Sequence, residues 1–183
     1  MASRPGAWLF IGHLAVALFA VGCGTVYVPS SDAVRLDVAV FIQTPDHCGP
    51  ASLGAVYRYW GADETGDGVT ARIYNPQEGG TLPGMLVADA RSLGFCAALG
   101  DPEPAGWRHA LASGVPVICL LPAGSGHFVV VQGWDRDRLL VNDGSGEARW
   151  RTGALLADAI LSIYVWPGDY DFDPPPICAH DGP

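Results

Sequence analysis

Cys48 stands where a nucleophile could be made, in the run Gln43-Thr-Pro-Asp-His-Cys48-Gly-Pro-Ala-Ser-Leu53. Behind it Leu53, Val56, Tyr57 and Trp60 recur at i, i+3, i+4 and i+7, the stripe of a helix that faces a core. Gly61 supplies the stop. Cys48 therefore falls at or beside the first helical turn, where free backbone N–H groups and the positive end of the helix dipole favour a thiolate. Such a sulfur needs a base. Gly124-Ser-Gly-His127 opens Phe-Val-Val-Val-Gln-Gly-Trp134, a buried strand entered through a flexible turn. After the turn Asp135-Arg-Asp-Arg138, the run Leu139-Leu-Val-Asn-Asp143 reads as a second strand ending in a carboxylate. A tight antiparallel hairpin sets the start of one strand beside the end of the other, so His127 and Asp143 are expected together. Cysteine, histidine and aspartate then supply nucleophile, base and orienter.

The order Gln, Cys-Gly-Pro-Ala-Ser-Leu, Gly-His-Phe-Val-Val-Val and Val-Asn-Asp-Gly resembles the papain-like cysteine peptidases of the bacteriocin-processing (double-glycine leader) family, over the span Val38 to Trp166. The resemblance implies an α+β fold in which an N-terminal helix carrying the cysteine packs on an antiparallel sheet carrying the histidine and aspartate. It implies that Gln43 donates to an oxyanion, Cys48 attacks, His127 is the base and Asp143 orients it. Gln43 stands five residues before Cys48, one fewer than the resemblance leads us to expect of transporter-fused members. The expected substrate is a peptide cut after small or double-glycine residues. A papain-like transpeptidase or cell-wall amidase would use the same cysteine–histidine–polar order. A catalytically silent peptide-binding lipoprotein would have no need of Cys48, His127 or Asp143.

Each of these residues has a plainer reading. Cys48 could be a structural thiol or half of a disulfide, and His127 a turn histidine. Asp143 could simply form a turn with Gly144, since Asp-Gly is a common turn dipeptide. Asn142 could orient the histidine instead, but neighbouring strand residues face opposite ways, so only one of the pair can serve. His47 adjoins the nucleophile, and adjacent residues rarely face each other. His109 and His180 receive no role. A metal site from Asp46, His47 and Cys48 lacks the paired spacing that zinc sites show, so neither metal nor cofactor is expected. Gly49 leaves the sulfur unobstructed, Pro50 tolerates an early helical position, and Gly124 to Gly126 form a pliable wall for an extended substrate.

The chain has 183 residues and a net charge of −9, and every one of its basic side chains is arginine. That length suits one domain, and that charge argues against nucleic acid. Residues 1–22 read as a signal peptide: Arg4, an apolar run from Ala7 to Val21, then Ala20-Val21-Gly22-Cys23. This is the pattern of a lipoprotein, with Cys23 as the lipidated residue and the bacterial outer membrane, on its periplasmic side, as the destination. Cleavage by an ordinary signal peptidase and a retained anchor are the alternatives. Residues 23–37 would be a tether, 38–166 the peptidase domain and 167–183 a disordered tail rich in Pro, Asp and Gly. Cys96, Cys119 and Cys178 remain, and their pairing is open. Nothing in the sequence sets an oligomeric state.

Between the two halves of the site, Asp63 to Gly80 reads as a polar connection. Thr81 is the expected cap of a helix with Leu82, Leu86, Ala90 and Leu93 on one face, closed by Gly94. Strands are predicted over Phe95–Leu99, Val115–Leu121, Glu147–Arg151 and Leu161–Trp166. A short helix from Pro104 to Ser113 presents Trp107, Ala110 and Leu111, and another starts at Thr152. The tryptophans Trp60, Trp107, Trp134, Trp150 and Trp166 are expected in the core.

Overall fold

The computed structural model describes residues 27–40, 42–44 and 46–175. The expected signal segment, Cys23 and Cys178 lie outside them. Among the described residues, strands β1 (Val34–Arg35), β2 (Phe95–Gly100), β3 (Val117–Leu121), β4 (His127–Asp135), β5 (Arg138–Asn142), β6 (Ala148–Thr152) and β7 (Leu161–Pro167) form one antiparallel sheet. Its order is β2-β7-β3-β4-β5-β6, with β1 also paired to β4. Helices α1 (Cys48–Tyr59), α2 (Gly66–Ile73), α3 (Pro83–Ser92) and α4 (Pro104–Ala112) complete the chain, with a 3-10 turn at Gly153–Leu156.

Strand alternation sorts the sheet into two cores. Ile118, Phe128, Val130, Ile163 and Val165 meet α1 and α3 on one face, while Val117, Cys119, Val129, Val131 and Tyr164 meet α4 on the other. A sheet buried on both faces needs apolar residues at successive positions, which is why Val129-Val-Val131 and Val117-Ile-Cys119 are continuous runs. The stripe of α1 does what its spacing predicts: Leu53, Val56 and Tyr57 are fully buried. Burial of each aliphatic side chain contributes about 1.5–3 kcal/mol. The fold is the expected papain-like α+β arrangement, the cysteine helix lying on the sheet that carries the histidine.

Four local expectations are corrected. The connection 63–80 contains α2, held by buried Val69 and Ile73 and capped by Thr65, whose Oγ1 accepts from Gly68 N at 3.2 Å. Thr81 does not cap α3. That helix starts at Pro83, whose missing N–H suits the first turn, and its N-cap is Leu82; Leu82 and Leu93 stay exposed while Leu86 and Ala90 are buried. The expected tether is docked from Tyr27 onward, because the buried Asp135 carboxylate accepts from Tyr27 Oη at 2.5 Å, Ser30 N at 2.7 Å and Ser30 Oγ at 2.6 Å. The expected disordered tail is packed up to residue 175: Phe172 is 8% exposed and Tyr170 Oη donates to Ser113 O at 2.6 Å. Cys96 and Cys119 are free thiols on β2 and β3, with β7 between those strands, so they form no bridge with each other. Burial pushes the Cys119 thiol up to about 12.

Candidate active site

The chain reverses sharply before α1. His47 N donates to Thr44 O at 3.2 Å, and Asp46 takes the left-handed conformation (φ 65°), which Asp tolerates better than most residues. His47 is turned away into this bend. Its Nδ1 is hydrogen-bonded to Thr44 Oγ1 at 2.5 Å and its ring meets the Tyr74 ring edge-on at 4.6 Å. The first bond of the helix is Ala51 N to His47 O at 3.0 Å, and Pro50 has no N–H. The Cys48 and Gly49 amides are therefore left without intrahelical acceptors, and no acidic side chain occupies the first turn. Gly49 has a tighter duty than leaving the sulfur clear. A Cβ there would lie 3.1 Å from Thr81 Cβ and 3.3 Å from Phe128 Cδ2, so its hydrogen lets α1 close on β4 and the α2–α3 loop.

Gln43 is placed by the far end of the sheet. Leu36 N donates to Gln132 O at 2.7 Å, Gln132 Nε2 donates to Leu36 O at 3.2 Å, and Asn142 Nδ2 donates to Ala39 O at 3.1 Å. Ile42 then bridges Ser145, and Gln43 N donates to Gly144 O at 3.2 Å. Gly144 has φ 74°, and a Cβ on it would sit 2.5 Å from Cδ and Oε1 of Gln43. Only glycine fits under this carboxamide.

His127 opens β4 opposite Leu121. With Gln43 and Cys48 it lines one cleft of about 480 Å³, walled by Gly79, Gly80 and Thr81 on one side and by Gly124, Ser125 and Gly126 on the other. Two acidic residues, Asp46 and Glu78, also line it. Asp143 does not line the cleft. It follows the last pair of the β4–β5 ladder, Val130↔Asn142, so strand alternation continued by one residue would turn it to the face of His127. Its Oδ1 accepts from Ser145 N at 3.1 Å and its Oδ2 lies 4.0 Å from Arg151 Nη2. Partial burial pushes the Asp143 carboxyl up, but the Ser145 hydrogen bonds and the Arg151 charge outweigh it and leave the pKa below the ordinary value. Among the described residues no hydrogen bond joins Cys48 to His127 or His127 to Asp143. Asn142 is spent elsewhere: it is buried, and besides holding Ala39 its Oδ1 accepts from Gly144 N at 3.3 Å.

The fold thus gathers Gln43, Cys48 and His127 and leaves Asp143 one strand away. It also adds residues that sequence reading passes over. Gly144 is marked in sequence only as half of an Asp-Gly turn, and Asn142 only as a rival to Asp143. Thr81 is a wall residue whose buried Oγ1 has no hydrogen-bond partner among the described residues.

A family model described as the peptidase C39 family matches residues 38–154, more than half of the chain and a span that includes Gln43, Cys48, His127 and Asp143. The chain belongs to the peptidase C39 family. C39 is a family of cysteine peptidases, and the matched segment runs from the connection after β1, which carries Gln43, to the 3-10 turn after β6. Solved structures share the fold. The peptidase domain of Streptococcus ComA, a bifunctional ABC transporter of a quorum-sensing pathway, is 19% identical, with a TM-score of 0.61 over 73% of this chain and 98% of that one. A double-glycine-motif protease from an AMS/PCAT transporter, solved with its leader peptide, is 21% identical, with a TM-score of 0.61 over 76% of this chain and 97% of that one. A C39-like peptidase from Bacillus anthracis is 16% identical, with a TM-score of 0.62 over 74% and 98%. No curated protein matches the chain significantly.

Proposed function

We propose that this C39 member hydrolyses peptides through a Cys48–His127–Asp143 system with Gln43 as an oxyanion donor. The observation that carries the reading is the convergence of Gln43, Cys48 and His127, from three separate parts of the chain, on a single cleft. Cys48 passes its proton to His127 and its sulfur attacks the scissile carbonyl carbon. The oxyanion is held by the Gln43 carboxamide and the free Cys48 amide, each donor being worth about 2.7–4 kcal/mol in comparable sites. His127 returns the proton to the leaving amine as the C–N bond breaks. Water, deprotonated by His127, then releases the acyl group from the sulfur. Asp143 keeps the imidazole in the tautomer that faces Cys48.

The glycine-rich walls favour an extended peptide with small residues at the cut. They leave backbone groups of the cleft within reach of a substrate backbone, while a side chain at Gly126 would already crowd Leu120 Cδ1 at 3.1 Å. The leader-peptide complex of the AMS/PCAT relative supports a double-glycine sequence as the substrate class. The apolar run from Ala7 to Val21 and the Cys23 that follows support a lipid-anchored form facing the bacterial periplasm. The test is hydrolysis of a panel of Gly-Gly and Gly-Ala peptides by the wild type and Cys48→Ala. The wild type is expected to cut and the variant to be silent, with equal rates overturning the reading. A diacylglyceryl mass on the peptide bearing Cys23 tests the anchor separately.

A further inference from the structure

At the opposite end of β4 from His127, a cavity of about 330 Å³ is lined by Arg108, Arg136 and Arg138 together with Trp107, Trp134 and Leu139. The two ends of the strand are roughly 27 Å apart at the usual rise per residue. In a chain with 19 acidic and ten basic side chains, three arginines at one cavity is a local reversal of charge. Three arginines elsewhere meet carboxylates: Arg72 pairs with Asp89 and Glu64, Arg149 with Glu147, and Arg151 approaches Asp143. None of the three cavity arginines forms an ion pair among the described residues. Asp137 shares the cavity wall, and the charge of Arg136 reaches the buried Asp135 only at longer range. Two of the guanidinium groups lie over aromatic rings, Arg108 over Trp134 at 5.4 Å and Arg138 over Tyr27 at 4.4 Å. A stacked guanidinium is held in place through its face and keeps its N–H edge for an oxyanion.

The chain also enters the domain here. Tyr27 lies beneath Arg138 and against Trp150, and Cys23 precedes it by four residues. We infer that this end of the molecule is the face that meets an anionic membrane, with phospholipid headgroup phosphates on Arg108, Arg136 and Arg138 and the apolar part of the lipid against half-buried Trp134, behind which Trp107 and Leu139 are buried. Inorganic phosphate would satisfy the arginines alone and leave Trp134 unused. The inference rests on the anchored reading of the N-terminus given above. Its consequence is orientation: the cleft at the other end of β4 is held away from the bilayer and open to soluble peptides.

The test is hydrogen exchange on the full chain with vesicles of phosphatidylcholine, with or without phosphatidylglycerol, and with inorganic phosphate as a third arm. Phosphatidylglycerol is expected to slow exchange at residues 104–108, 134–139 and 152–154 and not at 78–83 or 124–127. Arg→Gln substitution is expected to reduce that protection about fivefold for each arginine removed. Peptide hydrolysis, which these arginines do not touch, shows that the triple variant is folded; should it fail to fold, the exposed Arg136→Gln alone carries the comparison. Equal exchange on both vesicles, failure to associate with vesicles at all, protection at the cleft instead, the same protection from inorganic phosphate, or protection unchanged in the variants would each overturn the inference. Cleavage assays on Cys48→Ala are independent of all these readings.

Discussion

Gln43 owes its position to a glycine 101 positions further along the chain, and this makes Gly144 a sharper probe of the oxyanion site than Gln43 itself. Gly144→Ala puts a Cβ into the carboxamide and strains a residue at φ 74°, so the donor must swing away while Cys48 and His127 stay. The expected result is a loss in kcat approaching that of Gln43→Ala, on the order of 10²–10³, with KM little changed. Steady-state kinetics on a small-residue peptide check this; a loss confined to KM would mean that Gln43 binds substrate rather than the oxyanion. Much of the site is legible in the residues themselves. Cys48 is marked by its apolar stripe and His127 by the glycine turn before it, and one cleft holds both. Gly144 is not, because a turn glycine and a glycine under a distant side chain look alike until the fold brings them together. The competition between Asn142 and Asp143 also turns on contacts that only the fold provides. Asn142 is held by the Ala39 carbonyl, a bond between residues 103 positions apart that no strand pattern announces.

Among the elements, α1 was readable and α2 was not. The first carries its core stripe without interruption, whereas Gly66-Asp-Gly68 has the composition of a loop, and only Val69 and Ile73 are buried. What fixes α2 is a charge tie invisible to periodicity. Asp89 on α3 is 6% exposed and accepts from Arg72 Nε at 2.6 Å and Nη2 at 3.1 Å on α2, and from Tyr57 Oη at 2.9 Å on α1. One carboxylate thus joins the three helices that frame the cysteine. Burial, with Asp89 adjoining, pushes the Tyr57 phenol well up, so the hydroxyl remains a donor. Arg72→Ala leaves that carboxylate buried without its cation and is expected to destabilise the fold by about 3–5 kcal/mol. Tyr57→Phe, which removes one hydrogen bond to a carboxylate, should cost about 1.5–3 kcal/mol. Denaturant midpoints measure both; an Arg72→Ala loss below that of Tyr57→Phe would contradict this account of the tie.

Across the whole molecule, the ends of the chain fasten on the domain more than composition suggests. Residues 27–31 read as part of a tether because their partner, Asp135, stands at the end of β4 more than a hundred residues away. Hydrogen bonds from Ser30 and Tyr27 hold the Asp135 carboxyl at about 2, below its ordinary 3.8. A carboxyl lowered on folding stabilises above its unfolded pKa, and that contribution is lost as pH falls through the folded value. The 27–35 segment should therefore loosen between about pH 3.8 and pH 2 while β4 persists, and Asp135→Ala should loosen it at neutral pH. Hydrogen exchange resolved by segment reports this, and equal protection in wild type and Asp135→Ala would contradict it. The central claim is also long-range, since it requires α1 and β4 to deliver a sulfur and an imidazole to one carbonyl. It is tested most directly by trapping the acyl-enzyme from an activated Gly-Gly ester and mapping it by mass. The account predicts acylation of Cys48, slowed about 10²–10⁴-fold by His127→Ala. Acylation at Cys96, or a Cys48 rate indifferent to His127, would contradict it.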